Sequence, residues 1–185
     1  ASPTCATGTC SISACDDLYG NCNGIDGDGC EEHLGVDTNT QATAQYLGTV
    51  KGDNGSDVLS VTGTRGRWYR VTVNEDSSSQ TYLSASVHLV VPASTDYDVY
   101  TFSACSGASL GAGAGTGGTE DVGFCWDDHT GFACLLGCGD SMDVFIHVAF
   151  HAGTGCGPYT LQVTGNTTVG GCSDNNCGSC PSCPK

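Results

Sequence analysis

Between residues 44 and 164, hydrophobic positions recur at every second residue in short runs, and Gly, Asp, Asn and Ser fill the gaps between runs. Alternating β-branched and aromatic side chains, cut by turn formers, predict strands. The runs are AQYLGTV (44–50), DVLSV (57–61), RWYRVTV (67–73), TYLSASVHLVV (81–91), DYDVYTF (96–102), EDVGFCW (120–126), DVFIHVAF (143–150) and PYTLQVT (158–164). In RWYRVTV the alternation sets Trp68, Arg70 and Thr72 against Tyr69, Val71 and Val73, a mixed face opposite an apolar one. The apolar face requires a second sheet to cover it. No segment carries a long 3.6-residue period, so the expected fold is all-β: a jelly-roll-like antiparallel β-sandwich of about eight strands. The glycine-rich stretch SGASLGAGAGTGG (106–118) reads as a mobile low-complexity loop.

The flanks read differently. CATGTCSISACDDLYGNCNGIDGDGCEE (5–32) has neither strand nor helix periodicity, and the last residues are rich in Cys, Gly, Ser and Pro. The chain therefore divides into a loop-rich cap (1–38), a sandwich (39–166) and a tail (167–185).

Fourteen cysteines in 185 residues indicate disulfides formed in an oxidising compartment, hence a secreted or cell-surface protein. That the first residue is Ala1 and the only methionine is Met142 is expected of a chain that has lost a signal peptide. The cap holds Cys5, Cys10, Cys15, Cys22 and Cys30, the sandwich Cys105, Cys125, Cys134, Cys138 and Cys156, and the tail Cys172, Cys177, Cys180 and Cys183. The tail spacing C-x4-C-x2-C-x2-C is superficially that of an iron–sulfur or zinc site. The surplus of cysteines elsewhere and the two stiffening prolines favour staples instead. If all pair within one chain, five cap cysteines require at least one bridge from the cap to another zone.

Twenty acidic residues against five basic ones give a formal charge of −15, which disfavours nucleic acid and anionic membrane surfaces and favours divalent cations. No run approaches the roughly 20 apolar residues of a membrane-spanning helix. In NCNGIDGDGCEE (21–32), Asn21, Asn23, Asp26, Asp28 and Glu31 supply oxygen donors between glycines, with Cys22 and Cys30 placed to clamp the loop ends. Calcium is the expected ion, although the spacing is not that of an EF-hand and an ion-free Asx-rich turn fits the same residues.

Two catalytic look-alikes carry no chemistry. GASLG (107–111) matches a nucleophile elbow and GAGTGG (113–118) a dinucleotide loop, but neither lies between a strand and a helix, as Ser109 or a bound pyrophosphate would require. His147 and His151 would share a strand face without the glutamate of a zinc-protease motif, and isolated sheet histidines are ordinarily just solvated. His33, His88 and His129 have no evident partners. Asn54 and Asn166 open N-x-S/T sequons.

In order and spacing, RWYRVTV, DYDVYTF, DVFIHVAF and the closing GPYTLQVTG resemble the bacterial pre-peptidase C-terminal domain over about residues 40–165. The resemblance implies a β-sandwich acting as a non-catalytic binding or processing module of exported proteins, some members binding collagen-like polymers and some binding calcium near the N-terminal linker. The stretch CNGIDGDGCE (22–31) and the tail's NNCGSCPSC (175–183) resemble two halves of a myxobacterial-type cysteine-rich repeat, here at opposite ends of the chain. The leading expectation is a non-enzymatic extracellular structural or adhesive protein that self-associates, its tail completing or docking beside a neighbour's cap in a head-to-tail filament or surface array; a tail folded back onto its own cap fits the same residues equally well. The alternative is a module whose exposed Tyr and Trp side chains dock polysaccharide or extracellular protein. A cysteine-rich metal-binding protein is the third reading.

Overall fold

The computed structural model describes residues 2–6, 8–16, 18–22, 24–76, 82–127, 141–153 and 155–169. The sandwich is built from β5 (Gln45–Lys51), β6 (Val58–Gly63), β7 (Arg67–Asn74), β8 (Tyr82–Val90), β9 (Thr95–Ser103), β10 (Ser109–Gly113), β11 (Thr119–Asp127), β12 (Met142–Gly153) and β13 (Tyr159–Gly165). One sheet has the order β10-β9-β12-β7-β5, the other β11-β8-β13-β6. Successive strands alternate between the sheets except at the β9–β10 hairpin, giving the jelly-roll-like two-layer architecture.

All pairings are antiparallel except β5 with β7, which run parallel at the sheet edge. This corrects the wholly antiparallel expectation: β6 crosses to the other sheet between them, so the chain re-enters in the same direction. A second correction concerns the glycine-rich segment, where Ser109–Gly113 pairs with β9 as an edge strand. There the absence of bulky side chains is tolerated; a Cβ on Gly111 would lie 2.6 Å from a Val122 methyl.

Tyr69, Val71 and Val73 are fully buried, as the alternation in β7 demands, and meet Leu83, Val87, Leu89, Leu161 and Val163 from the facing sheet. Each such aliphatic side chain contributes roughly 1.5–3 kcal/mol by leaving water. A tyrosine cluster closes one end of this core. The Tyr69 and Tyr159 hydroxyls are 2.8 Å apart, Tyr159 donates to the Arg65 carbonyl (3.1 Å), and Tyr97 donates to that of Thr64 (2.7 Å). These bonds fix the β6–β7 crossing, and Gly63 is required there because a Cβ would collide with the Tyr159 hydroxyl.

The cap is more ordered than its composition suggests. It holds a hairpin, β1 (Ser2–Ala6) with β2 (Thr9–Ala14), and a short pair, β3 (Tyr19–Gly20) with β4 (Glu32–His33). Cross-links rather than apolar alternation set these strands. Cys5–Cys10 closes the hairpin, Cys15–Cys30 closes the following loop, and Cys22–Cys156 joins the cap to the turn before β13. The third supplies the bridge out of the cap that parity requires and takes it to the sandwich. Cys22 and Cys30 therefore hold the loop ends through separate partners and not through each other. All five cap cysteines are consumed within the chain, so none is left to bond a neighbour's tail. Cys105 and Cys125 are also in disulfides. Cys134, Cys138 and the tail cysteines lie outside the described residues.

Candidate functional site on the outer face of the five-stranded sheet

On the mixed face of β7 and its neighbours, register assembles a strip of rings. His147 of β12 lies opposite Trp68 of β7 and Tyr100 of β9, and Phe145 lies opposite Arg70 and Phe102. The Trp68 and His147 rings stack almost parallel, with centroids 4.3 Å apart and an angle of 6°. Phe102 stacks against Trp68 at 5.6 Å. Along the strip, Arg70 pairs with Asp143 (3.1 Å) and lies 4.8 Å over the exposed Tyr46 ring, whose hydroxyl meets Thr49 and Thr72.

The segment from Gly35 to Gln41, between the cap and β5, rises beside this strip and is tied to it by side chains. Asn39 acts as a surrogate strand partner, its Oδ1 accepting the Trp68 N–H (2.7 Å) and its Nδ2 donating to the Trp68 carbonyl (2.9 Å). Asp37 Oδ2 lies 2.7 Å from His147 Nε2. The Thr38 N–H donates to the Gly66 carbonyl (2.9 Å), and Gly66 leaves room for the Asp37 carboxylate, which a Cβ would strike. The result is an open cleft of about 660 Å³, lined by Asp37, Asn39, Thr40 and Gln41 on one side and by Trp68, His147 and Phe150 on the other. Its chemistry combines flat apolar rings with amide and hydroxyl groups, which suits ligands that are apolar on one face and hydroxylated at the rim.

The histidines are therefore not merely solvated. His147 is stacked and carboxylate-bound. His151, on the same strand face, has its Nδ1 3.6 Å from Asp96 Oδ2, where the β9–β12 register shifts. His88, without evident partner in the sequence, faces Asp121 across β8 and β11 at 2.7 Å. His33 packs edge-on against Tyr19. His129 lies outside the described residues. The Asp37–His147 contact spans 110 residues of sequence and had no local signal, whereas the outward setting of Trp68 followed from the alternation in β7.

In the 21–31 loop, the Asn21 amide donates to Asp26 Oδ1 (3.2 Å) and the Cys22 N–H donates to Glu31 Oε1 (3.1 Å). Asn21 Oδ1 is buried and has no partner among the described residues. Asp26, Asp28 and Glu31 do not converge: among the described residues no three His, Cys, Asp or Glu side chains gather as a metal cage. Asn23 lies outside the described residues. Ser109 is exposed at the start of β10, and among the described residues no histidine or carboxylate bonds its hydroxyl.

No family profile matches the sequence and no curated protein matches it. Among solved structures, the pre-peptidase C-terminal domain of a collagenase from Bacillus anthracis is similar at 8% identity and a TM-score of 0.37, over 65% of this chain and 95% of that one. PliG from Aeromonas hydrophila, a periplasmic inhibitor of g-type lysozyme, is similar at 13% identity and a TM-score of 0.31, over 65% and 97%. Among the described residues no helix is long and apolar enough to cross a membrane.

Proposed function

We propose that this chain is an exported, non-catalytic binding module that takes a polysaccharide segment in the cleft between residues 35–41 and the ring strip of the five-stranded sheet. The observation that carries the reading is the Trp68–His147 stack bordering an open cleft whose other wall presents the side chains of Asn39, Thr40 and Gln41. A sugar ring has an apolar face that packs on an aromatic side chain and equatorial hydroxyls that bond amides at the rim, so one geometry serves both. The site is rigid before ligand arrives, because Asn39 and Asp37 fasten the wall to the sheet, and a preformed wall spares the ordering cost of binding. Disulfide density supports export. A protein ligand would also use exposed rings but would need a larger apolar footprint than this one cleft provides.

The test is a heteronuclear NMR titration with neutral oligosaccharides. Binding here moves the Trp68 indole and His147 ring signals and leaves those of Trp126, buried in the core, in place. Shifts confined to another face would refute the site.

A further inference from the structure

Only five basic residues stand against twenty acidic ones, yet two of the five, Arg65 and Arg67, line a single cleft of about 320 Å³ with Thr38, Thr62, Thr64 and Pro158. Arg67 is pre-aimed: its Nε donates to Thr38 Oγ1 (3.0 Å) and its Nη1 to Gln45 Oε1 (3.1 Å). Arg65 Nη1 lies 3.2 Å from Glu32 Oε2. Among the described residues this leaves Nη2 of Arg67, and Nε and Nη2 of Arg65, without partners, along with the hydroxyls of Thr62 and Thr64. The turn carrying Arg65 is held from beneath by the Tyr97 and Tyr159 hydroxyls, so the donors stand on a fixed base.

We propose that this pocket recognises the carboxylate of a uronate residue, and that the glycan of the main cleft is therefore an acidic one. This rests on the polysaccharide reading above. The two clefts share a wall: Asp37 and Asn39 line the ring-bordered cleft and Thr38 lines the arginine pocket. Arg67 and Trp68 are consecutive in β7 and face opposite sides of the sheet, so a chain lying against Trp68 reaches Arg65 and Arg67 by passing over this wall. Guanidinium with flanking hydroxyls is the donor set for a planar oxyanion. The overall charge does not cancel the preference, because at physiological salt fields from charges beyond about 8 Å are screened. Of the acids nearest the pocket, Glu32 is paired with Arg65 and Asp37 with His147.

The experiment compares a galacturonate hexamer with its methyl ester, the same sugar without the charge, by calorimetry on the intact protein. The acid is expected to bind about tenfold tighter than the ester. Arg65→Gln, and separately Thr62→Val, which removes a hydroxyl with no structural bond, should weaken binding of the acid more than that of the ester and so reduce the preference. Trp68→Ala should weaken both ligands alike. Equal affinity for acid and ester, or a preference that survives Arg65→Gln and Thr62→Val, overturns the uronate pocket and leaves the polysaccharide reading standing. Failure of both ligands to bind overturns the polysaccharide reading itself. Binding of poly-glutamate in place of either glycan overturns the assignment to sugar.

Discussion

Replacing Tyr159 by Phe removes one oxygen from the centre of the tyrosine cluster. Tyr159 and Tyr69 are both fully buried, and their hydroxyls bond each other at 2.8 Å while Tyr159 also donates to the Arg65 carbonyl. The substitution keeps the ring and its edge contact with Tyr97, so packing changes little. What it leaves is a buried Tyr69 hydroxyl and a carbonyl, each short of a partner that water does not replace. Stranding buried polar groups costs about 1–3 kcal/mol. A loss of about 2 kcal/mol in a chain of this size lowers the melting temperature by roughly 4–8 °C. The assay is differential scanning calorimetry of the oxidised protein, parent against Tyr159→Phe, Tyr69→Phe and the double variant. Because Tyr69→Phe and Tyr159→Phe break the same bond, the double variant should lose about 1 kcal/mol less than the sum of the singles. A Tyr159→Phe protein melting within about 1 °C of the parent, or fully additive losses, would refute the view that the cluster braces the β6–β7 crossing and with it the base of the arginine pocket.

Other expectations follow from the same contacts. Cys22→Ser with Cys156→Ser opens a cross-link spanning 134 residues, which the chain-entropy account values at roughly 5 kcal/mol at most; the variant should melt several degrees lower and lose its cap to protease faster, and unchanged protease resistance would contradict the bridge. Burial pushes the Tyr97 hydroxyl up to about 12 and raises that of Tyr159 further. Folded tyrosines then hold protons that unfolded ones release, so stability should fall as pH rises from about 10 through 12, and a melting temperature flat across that window would count against the buried cluster. Calcium at the 21–31 loop, proposed on its oxygen donors and on Asn21 Oδ1, which has no partner among the described residues, requires Asp26, Asp28 and Glu31 to draw together; it predicts a calcium-dependent rise in melting temperature that Asp28→Ala abolishes, and a melting curve indifferent to calcium retires the ion.

Period-2 alternation placed the ends of the eight expected sandwich strands within one to three residues because a half-buried strand writes its buried face directly into the sequence. It failed where the cause of order was not apolar alternation. β10 is an edge strand of Ser, Leu, Gly and Ala whose pairing is imposed by the hairpin with β9. The cap hairpin is almost wholly exposed and exists through Cys5–Cys10 and its ladder. Partner choice among cysteines is likewise a matter of distance in space, and parity alone reached only the existence of a bridge from the cap to another zone. At the site, the outward face of Trp68 was legible. Asp37, Asn39 and His147 were not, because side chains on a linker fasten it to strands more than a hundred residues away in one case, and no local spacing encodes such a contact.

The polysaccharide cleft is tested most directly by the affinity of one ligand for two proteins, the parent and Trp68→Ala, measured by intrinsic fluorescence and calorimetry with melting curves to confirm the fold. Stacking of a sugar on Trp68 predicts saturable binding to the parent and a loss of at least about tenfold, or 1.4 kcal/mol, in the variant. Equal binding by a folded Trp68→Ala protein would contradict the account.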